Sequence, residues 1–366
     1  MPDSLLKTPL HDAHVAFGAR MVAFAGWSMP VVYTGIVEEH NHTRNVCSVF
    51  DVSHMGRLRI EGDDAEPFLN RICTRNLAGA EVGRSYYSHV CREDGGVLDD
   101  VIVSRYEDHW LMVCNASNRA KIVAWLRWQG QGRDIDLTDV TTSTAMIAVQ
   151  GPRAMTLAAE IVPVDLSALK RYRFIAVEFL GMQFSIFRSG YTGEDGLEVV
   201  CPAGAARMLL PKLVGAKDEP HPEIRFAGLG ARDTLRIEAA MPLYGHELTE
   251  EVDSLTSGQG WCVDLSKDFI GVETMRKLKE AGLRRKMTGL ELDGKRIARQ
   301  HHKVCAGRSV VGEVTSGTMS PTLGKSIAMA YVEPDRATEG TALEIDLGGK
   351  RCGARVVKLP FYKRSK

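Results

Sequence analysis

Three short segments hold the residues whose types and spacing could do chemistry. In DGGVLDDVIV, Gly95 and Gly96 make a turn, and Asp99 and Asp100 then lead into the apolar run Val101–Val103. Adjacent side chains of a strand face opposite sides, so one aspartate can enter a pocket while the other caps a turn or meets solvent. On spacing alone, a hairpin with two exposed acids is the favoured reading. The β-branched run argues the other way, because a carboxylate buried there without a partner is costly and such sites are often functional. In RSGYTGEDGLEV, Gly190, Gly193 and Gly196 surround Tyr191, Glu194, Asp195 and Glu198. The glycines permit tight turns and close approach by a ligand, Tyr191 offers a flat ring with a hydroxyl, and Glu198 offers two oxygens to the paired donors of a cyclic guanidine-like edge. Three acids would repel an anion, which argues against a phosphate cradle; a Gly-rich hairpin with solvated acids stands as an equal alternative. In ARDTLRIEA, an amphipathic helix can bury Leu235 and Ile237 while Arg232 or Arg236 points at an acidic ligand. Arg232 with Asp233 as a plain structural ion pair is the stronger reading there.

Other positions carry less. His54 in DVSHMG lacks a serine or cysteine elbow and reads as a satisfied, partly buried histidine rather than a base. Trp27 in FAGWSMP and Trp261 in GQGWCV could each stack on a planar ligand or anchor the core. Asn115 in VCNASN could donate to a polar ring, although a turn or helix cap is its ordinary use. The eight cysteines include no Cys-x-x-Cys, and no histidine pair has metal-ligand spacing, so free thiols in a reducing compartment are expected, with no metal. Cys47 has no evident base near it in sequence.

The elements that must position these residues are mixed. Alternating or β-branched runs at Gly56–Glu61, Val101–Arg105, Trp110–Val113, Met146–Val149, Phe184–Phe187 and Leu197–Val200 read as strands; Ala65–Ile72, Arg119–Trp128, Ala205–Leu213 and Ala231–Glu238 read as amphipathic helices. No strand-to-helix turn carries Gly-x-Gly-x-x-Gly and no Walker loop is present, which argues against a nucleotide fold and points to α+β with antiparallel sheets. From about Lys286 onward, short strands joined by Gly, Pro and Asp turns suggest a small β-barrel or sandwich; a helix in FIGVETMRKLKEAGL, closed by Gly282, sits at its boundary.

The 366 residues suit two or three domains, and 46 basic against 46 acidic side chains supply no bulk attraction for nucleic acid or an anionic membrane. The one basic patch, Arg284 to Lys286, reads as a solvated helix end. No apolar run reaches the roughly 18 residues of a membrane span. The N-terminal stretch has neither a signal-peptide nor a transit-peptide pattern, so the cytoplasm is the expected address, or the mitochondrial matrix if a transit peptide has been removed.

Taken together, the chain resembles the aminomethyltransferase (T-protein) of the glycine cleavage system. The resemblance runs through TPLHDAHVAFGARMVAFAGWSMPVVY, HTRNVCSVFDVSHMG, DGGVLDDVIV, NASNR, AVQGP, SGYTGEDGLEV, AGLGARDTLRIEA, LYGHEL, KDFIG and GEVTSGTMSPTLGKSIAMAYV, ten segments in order. It implies a three-lobed, cloverleaf-like fold around tetrahydrofolate, with a first lobe of about 1–50 plus 140–225, a second of about 51–139 plus 226–275, and a C-terminal barrel at about 285–366. It also implies transfer of the methylene carbon from an aminomethylated lipoyl arm of the H-protein to tetrahydrofolate, without metal, flavin or nucleotide. The functional partners it brings are the glycine decarboxylase (P-protein) and dihydrolipoamide dehydrogenase (L-protein). Carried over by position, Asp100 matches the acid at the reacting N5/N10 edge, Glu198 the acceptor for the pterin, and Tyr191 and Arg232 folate contacts; Tyr87, Trp261 and Tyr362 resemble further contacts. The lead-in DSLTSGQGWCV departs from the family's usual acidic and apolar approach to the tryptophan. Two relatives compete: a folate-binding protein without transfer activity, and the folate domain of dimethylglycine or sarcosine dehydrogenases, which would need a flavin module that this chain's motifs do not provide.

Overall fold

The computed structural model describes residues 5–162, 164–179 and 181–364, and they divide into two compact units that each draw on several stretches of chain. The first comprises Met1–Ala65, Gly79–Tyr86 and Ile102–Asp233. Its main sheet has six strands in the order Phe174–Phe179, Met182–Phe187, Gly196–Pro202, Thr144–Gln150, Cys47–Asp51 and Ile224–Phe226, antiparallel except for the last pair. Gly196–Pro202 and Thr144–Gln150 are central and almost wholly buried, which is why both read as near-continuous apolar runs. The helix Ala203–Val214 packs Ala205, Ala206, Leu210 and Leu213 onto Val49, Ile147 and Cys201. Smaller still is a sheet of Leu6–Lys7, Trp27–Val32 and Arg20–Phe24. Trp27 is buried there, so its ring is a core anchor and not a platform for a ligand.

A five-stranded sheet runs in the order Arg84–Cys91, Val97–Arg105, Trp110–Cys114, Gly56–Glu61 and Asp136–Asp139. The second unit takes Glu66–Ala78, Tyr87–Val101 and Thr234–Lys366. Its largest part is a closed six-stranded barrel, Lys286–Leu292, Ser326–Val332, Ser309–Met319, Lys303–Ala306, Ala342–Asp346 and Arg351–Val357, filled by Leu290, Val304, Val314, Ala328, Ala330 and Ile345. The fold class is thus α+β with a C-terminal barrel, as the strand texture beyond Lys286 led one to expect. The preceding helix, Val272–Ala281, ends at Gly282 with φ +81°, a conformation that L side chains rarely adopt, and buries Val272 and Met275 against Cys91, Val97 and Phe269. Arg285 of the short basic run lies over the Tyr331 ring at 5.4 Å. No helix among the described residues is long and apolar enough to cross a membrane.

Candidate active site

The first cluster grows from the strand Gly196–Pro202, where Glu198 pairs in register with Ala148 on one side and Phe187 on the other. Its side chain is buried, and the Ser189 hydroxyl donates to Oε2 at 2.5 Å. The other two acids of GYTGEDG have structural partners. Glu194 accepts from Arg44 Nη1 at 2.9 Å in a buried ion pair, and Arg44 also caps the Thr192 carbonyl at 2.6 Å. Asp195 holds Arg188 in a two-pronged pair, Nε to Oδ1 at 3.1 Å and Nη2 to Oδ2 at 2.7 Å. Two of the three acids expected to repel an anion are thus paired with Arg44 and Arg188, while Glu198 is held by the Ser189 hydroxyl. The glycines also serve another purpose than expected. A Cβ on Gly190 or Gly196 would collide with the Gln150 side chain, so both residues make room for that buried amide rather than for a ligand.

Arg232, on the helix Leu229–Glu238, lies with its guanidinium carbon 4.8 Å from the Tyr191 ring centroid. Burial pushes its pKa below the usual arginine range, while Glu198 and Tyr191 pull it back up. Its Nη1 is buried and meets no hydrogen-bond acceptor. An unsatisfied charged donor costs free energy until an acceptor arrives, so this atom fits the acidic or carbonyl oxygen of a ligand. Arg236, one turn on, is spent structurally: within the second unit its Nη1 donates to Glu247 Oε2 at 2.7 Å and its Nη2 to Ser316 Oγ at 2.8 Å, all buried. His54 departs from expectation. It is fully buried, its Nδ1 has no partner, and burial lowers its pKa to about 4, so it is a neutral and unsatisfied histidine rather than a satisfied one.

A second cluster lies in the other unit. Tyr87 and Asp100 come from the neighbouring strands Arg84–Cys91 and Val97–Arg105, and the Tyr87 hydroxyl donates to Asp100 Oδ2 at 3.0 Å. Trp261 stands on the 3-10 turn Gly260–Cys262, pinned by Arg75 Nη1 on its carbonyl at 2.8 Å and by Thr74 Oγ1 on the Cys262 carbonyl at 3.1 Å. Its indole stacks on Tyr87 with centroids 5.3 Å apart and planes 19° from parallel. With 56% of Trp261 exposed, the stack leaves an aromatic surface open beside a half-buried carboxylate. Such an arrangement suits a flat ligand that brings an amine or a developing positive charge to Asp100. Asp99 does not meet solvent as one branch of the hairpin reading required; it is fully buried, because both faces of its strand are covered by protein.

Two further expected residues make backbone contacts. Asn115 occupies the N-cap position of the 3-10 turn Ala116–Asn118 without capping it through its side chain, while its carbonyl accepts from the Asn118 amide at 3.0 Å. The Tyr362 amide donates to the Glu238 carbonyl at 2.8 Å, and the Glu238 carboxylate is itself held by Ser320 and Thr322. Ser189, His89 and Ser254 were not singled out from sequence; only the first lies close enough in sequence to its acid to have been found by spacing. Among the described residues, no three His, Cys, Asp or Glu side chains gather in a way that could hold a metal ion. The cysteines are free, and burial drives the Cys47 and Cys262 thiols up to about 12, which leaves neither as a thiolate.

Comparison with known proteins places the chain. Residues 10–267 match the GCVT N-terminal domain and residues 285–363 the glycine cleavage T-protein C-terminal barrel domain. The chain is 46% identical over 365 residues to an aminomethyltransferase of Rubrobacter xylanophilus, covering 99% of this chain and 96% of that one. It is 43% identical to one of Moorella thermoacetica, covering 99% of each. The crystal structure of the glycine cleavage system aminomethyltransferase T from Bartonella henselae superposes with a TM-score of 0.92 at 32% identity, over 98% of this chain and 99% of that one. With both domain matches in order and near-complete coverage by these relatives, the chain belongs to the glycine cleavage T-protein (aminomethyltransferase) family.

Proposed function

We propose that this chain is the tetrahydrofolate-dependent aminomethyltransferase of the glycine cleavage system. The observation that carries the reading to the level of residues is the Asp100 carboxylate, held by the Tyr87 hydroxyl beside the open Tyr87–Trp261 stack. The substrate carbon already has the oxidation level of formaldehyde, so the reaction asks for position and charge stabilisation rather than for an electron carrier. In this reading the aminomethyl group arrives on the lipoyl arm of the H-protein. Loss of ammonia and attack by the folate nitrogens then give 5,10-methylenetetrahydrofolate and the reduced dithiol arm.

Asp100 stabilises the cationic, iminium-like transition state, a role for which one anion held in a fixed position is effective. Glu198 accepts the paired N–H donors of the pterin edge, with Ser189 fixing its rotamer. The unsatisfied Nη1 of Arg232 supports a contact to a ligand oxygen, and its guanidinium holds Tyr191 in place. Tyr87 and Trp261 supply stacking surface. Asn115 and Tyr362 are assigned as further folate contacts.

We further assign the cytoplasm as the working compartment, the P- and L-proteins as functional partners, and the interwoven lobes at 1–50 plus 140–225 and 51–139 plus 226–275 as the units of the cloverleaf. The test combines the protein with tetrahydrofolate and aminomethylated H-protein and follows ammonia and methylenetetrahydrofolate together. Formation of both in equal amounts is expected. Folate binding without product would favour the non-transferring relative.

A further inference from the structure

The hydroxyl that holds Asp100 is itself held from behind. His89, two residues from Tyr87 on the same strand, is fully buried and places Nε2 3.3 Å from the Tyr87 hydroxyl oxygen. Its Nδ1 lies 2.7 Å from Ser254 Oγ, and Ser254 Oγ lies 3.8 Å from Cys91 Sγ. All of these residues belong to one unit.

Each hydroxyl has one proton to give, and that fixes the direction of the row. The Tyr87 proton is committed to Asp100 Oδ2, so the 3.3 Å contact is a hydrogen bond only if His89 Nε2–H donates to the Tyr87 oxygen. A neutral imidazole protonated on Nε2 has a bare Nδ1, which accepts the Ser254 proton. The Cys91 thiol is then the group left to donate to Ser254 Oγ. Burial keeps this histidine neutral, with a pKa lowered to about 3, and keeps the Cys91 thiol protonated, so no member of the row competes with Asp100 for the negative charge. Donors aligned in one direction polarise one another and reinforce the last bond.

We propose that His89 and Ser254 are positioning residues for Asp100: by fixing the Nε2–H tautomer they force the Tyr87 proton onto Oδ2 and hold the carboxylate in one rotamer. The inference rests on the assignment of Asp100 as the group that stabilises the transition state. The row itself does not touch substrate. Its contribution is felt in the chemical step and not in the capture of folate.

The experiment compares His89→Leu, which removes both ring nitrogens, with His89→Gln, whose amide nitrogen can reach the Tyr87 oxygen as Nε2–H does. Both are assayed with tetrahydrofolate and aminomethylated H-protein, and the ring of His89 in the parent is observed by nitrogen-15 NMR at pH 7. Expected results are an Nε2–H tautomer, a tenfold or greater fall in kcat for His89→Leu with the folate KM within twofold, and recovery of most of that loss in His89→Gln. An Nδ1–H tautomer, equal losses in the two variants, or a loss confined to KM would overturn the proposal. Failure of the Asp100 assignment looks different: Asp100→Asn would then keep its turnover while the NMR tautomer stayed as expected.

Discussion

Replacing Glu198 by glutamine should weaken folate binding about 10- to 150-fold and leave turnover at saturating folate within about threefold. The magnitude follows from the site. Glutamine has the shape of glutamate, and the Ser189 hydroxyl that donates to Oε2 at 2.5 Å can still donate to an amide oxygen in that place. What the substitution removes is the negative charge and, on the other branch, an acceptor, which becomes an NH₂ facing the N–H donors of the ligand. A hydrogen bond to a charged group contributes about 1.5–3 kcal/mol, and each 1.4 kcal/mol is tenfold in Kd. Because Glu198 is buried and desolvated already, solvent screening does not reduce that figure much. The assay is titration of tetrahydrofolate under anaerobic conditions, read by calorimetry, with a thermal melt to confirm that the variant is folded. Glu198→Ala should weaken binding at least as much. A folded Glu198→Gln protein that binds folate within twofold of the parent would refute the pterin assignment and with it the reading of Glu198 as the acid of this segment kept for the ligand.

Three further outcomes are expected. Glu194→Gln, four residues away, should leave folate affinity nearly unchanged but cost about 3–5 kcal/mol in urea unfolding, because it removes the charge that compensates the buried Arg44 guanidinium; an affinity loss matching that of Glu198→Gln would contradict the distinction between the two acids. His54 has a folded pKa near 4 against the ordinary 6.5, so the unfolded chain takes up its proton first as pH falls. Stability is then unaffected above about pH 6.5 and declines between there and 4, and His54→Leu should remove about 2 kcal/mol of the loss between pH 7 and 5; parallel pH curves for the two proteins would contradict the buried, neutral histidine. Of the eight free cysteines only Cys352 is not fully buried, so a thiol-reactive dye at pH 8 should label about one site in the native protein and all eight after denaturation; rapid native labelling at Cys262, whose thiol is pushed up to about 12, would contradict its burial in the turn that carries Trp261.

Local pattern made much of the architecture legible. The strand Gly56–Glu61 and the helix Ala65–Ile72 fall where the apolar spacing puts them, and Gly282 ends its helix as a C-terminal glycine should. The barrel was readable because its strands are short, regularly spaced and separated by turn residues. The sheet of Leu6–Lys7, Arg20–Phe24 and Trp27–Val32 was not, since strands of two to six residues on a half-exposed surface have little alternation to detect.

At the candidate site the division is similar. Asp100, Glu198 and Arg232 sit in recognisable segments, but which acid has an arginine partner depends on Arg44 and Arg188, and Arg44 lies 150 residues from Glu194 along the chain. Trp27 and Trp261 both stand beside glycines, and only the tertiary fold buries one and exposes the other. His89 reads as an ordinary strand residue until Ser254, 165 residues later, comes to within 2.7 Å of its ring.

In the proposed mechanism one carboxylate, Asp100, carries the chemistry. Asparagine at that position keeps an oxygen for the Tyr87 hydroxyl, at 3.0 Å in the parent, and removes the charge while turning the other oxygen into an NH₂. A unit charge about 4 Å from a developing cation contributes about 4 kcal/mol at an effective dielectric of about 20, or roughly 10³-fold in rate. The direct measurement is a single turnover of carbon-13-labelled aminomethyl H-protein with saturating tetrahydrofolate, comparing the parent with Asp100→Asn. The rate of labelled methylenetetrahydrofolate formation is expected to fall about a thousandfold while folate affinity and the melting temperature stay near the parent's. Labelled product formed by Asp100→Asn at a rate close to the parent's would contradict it.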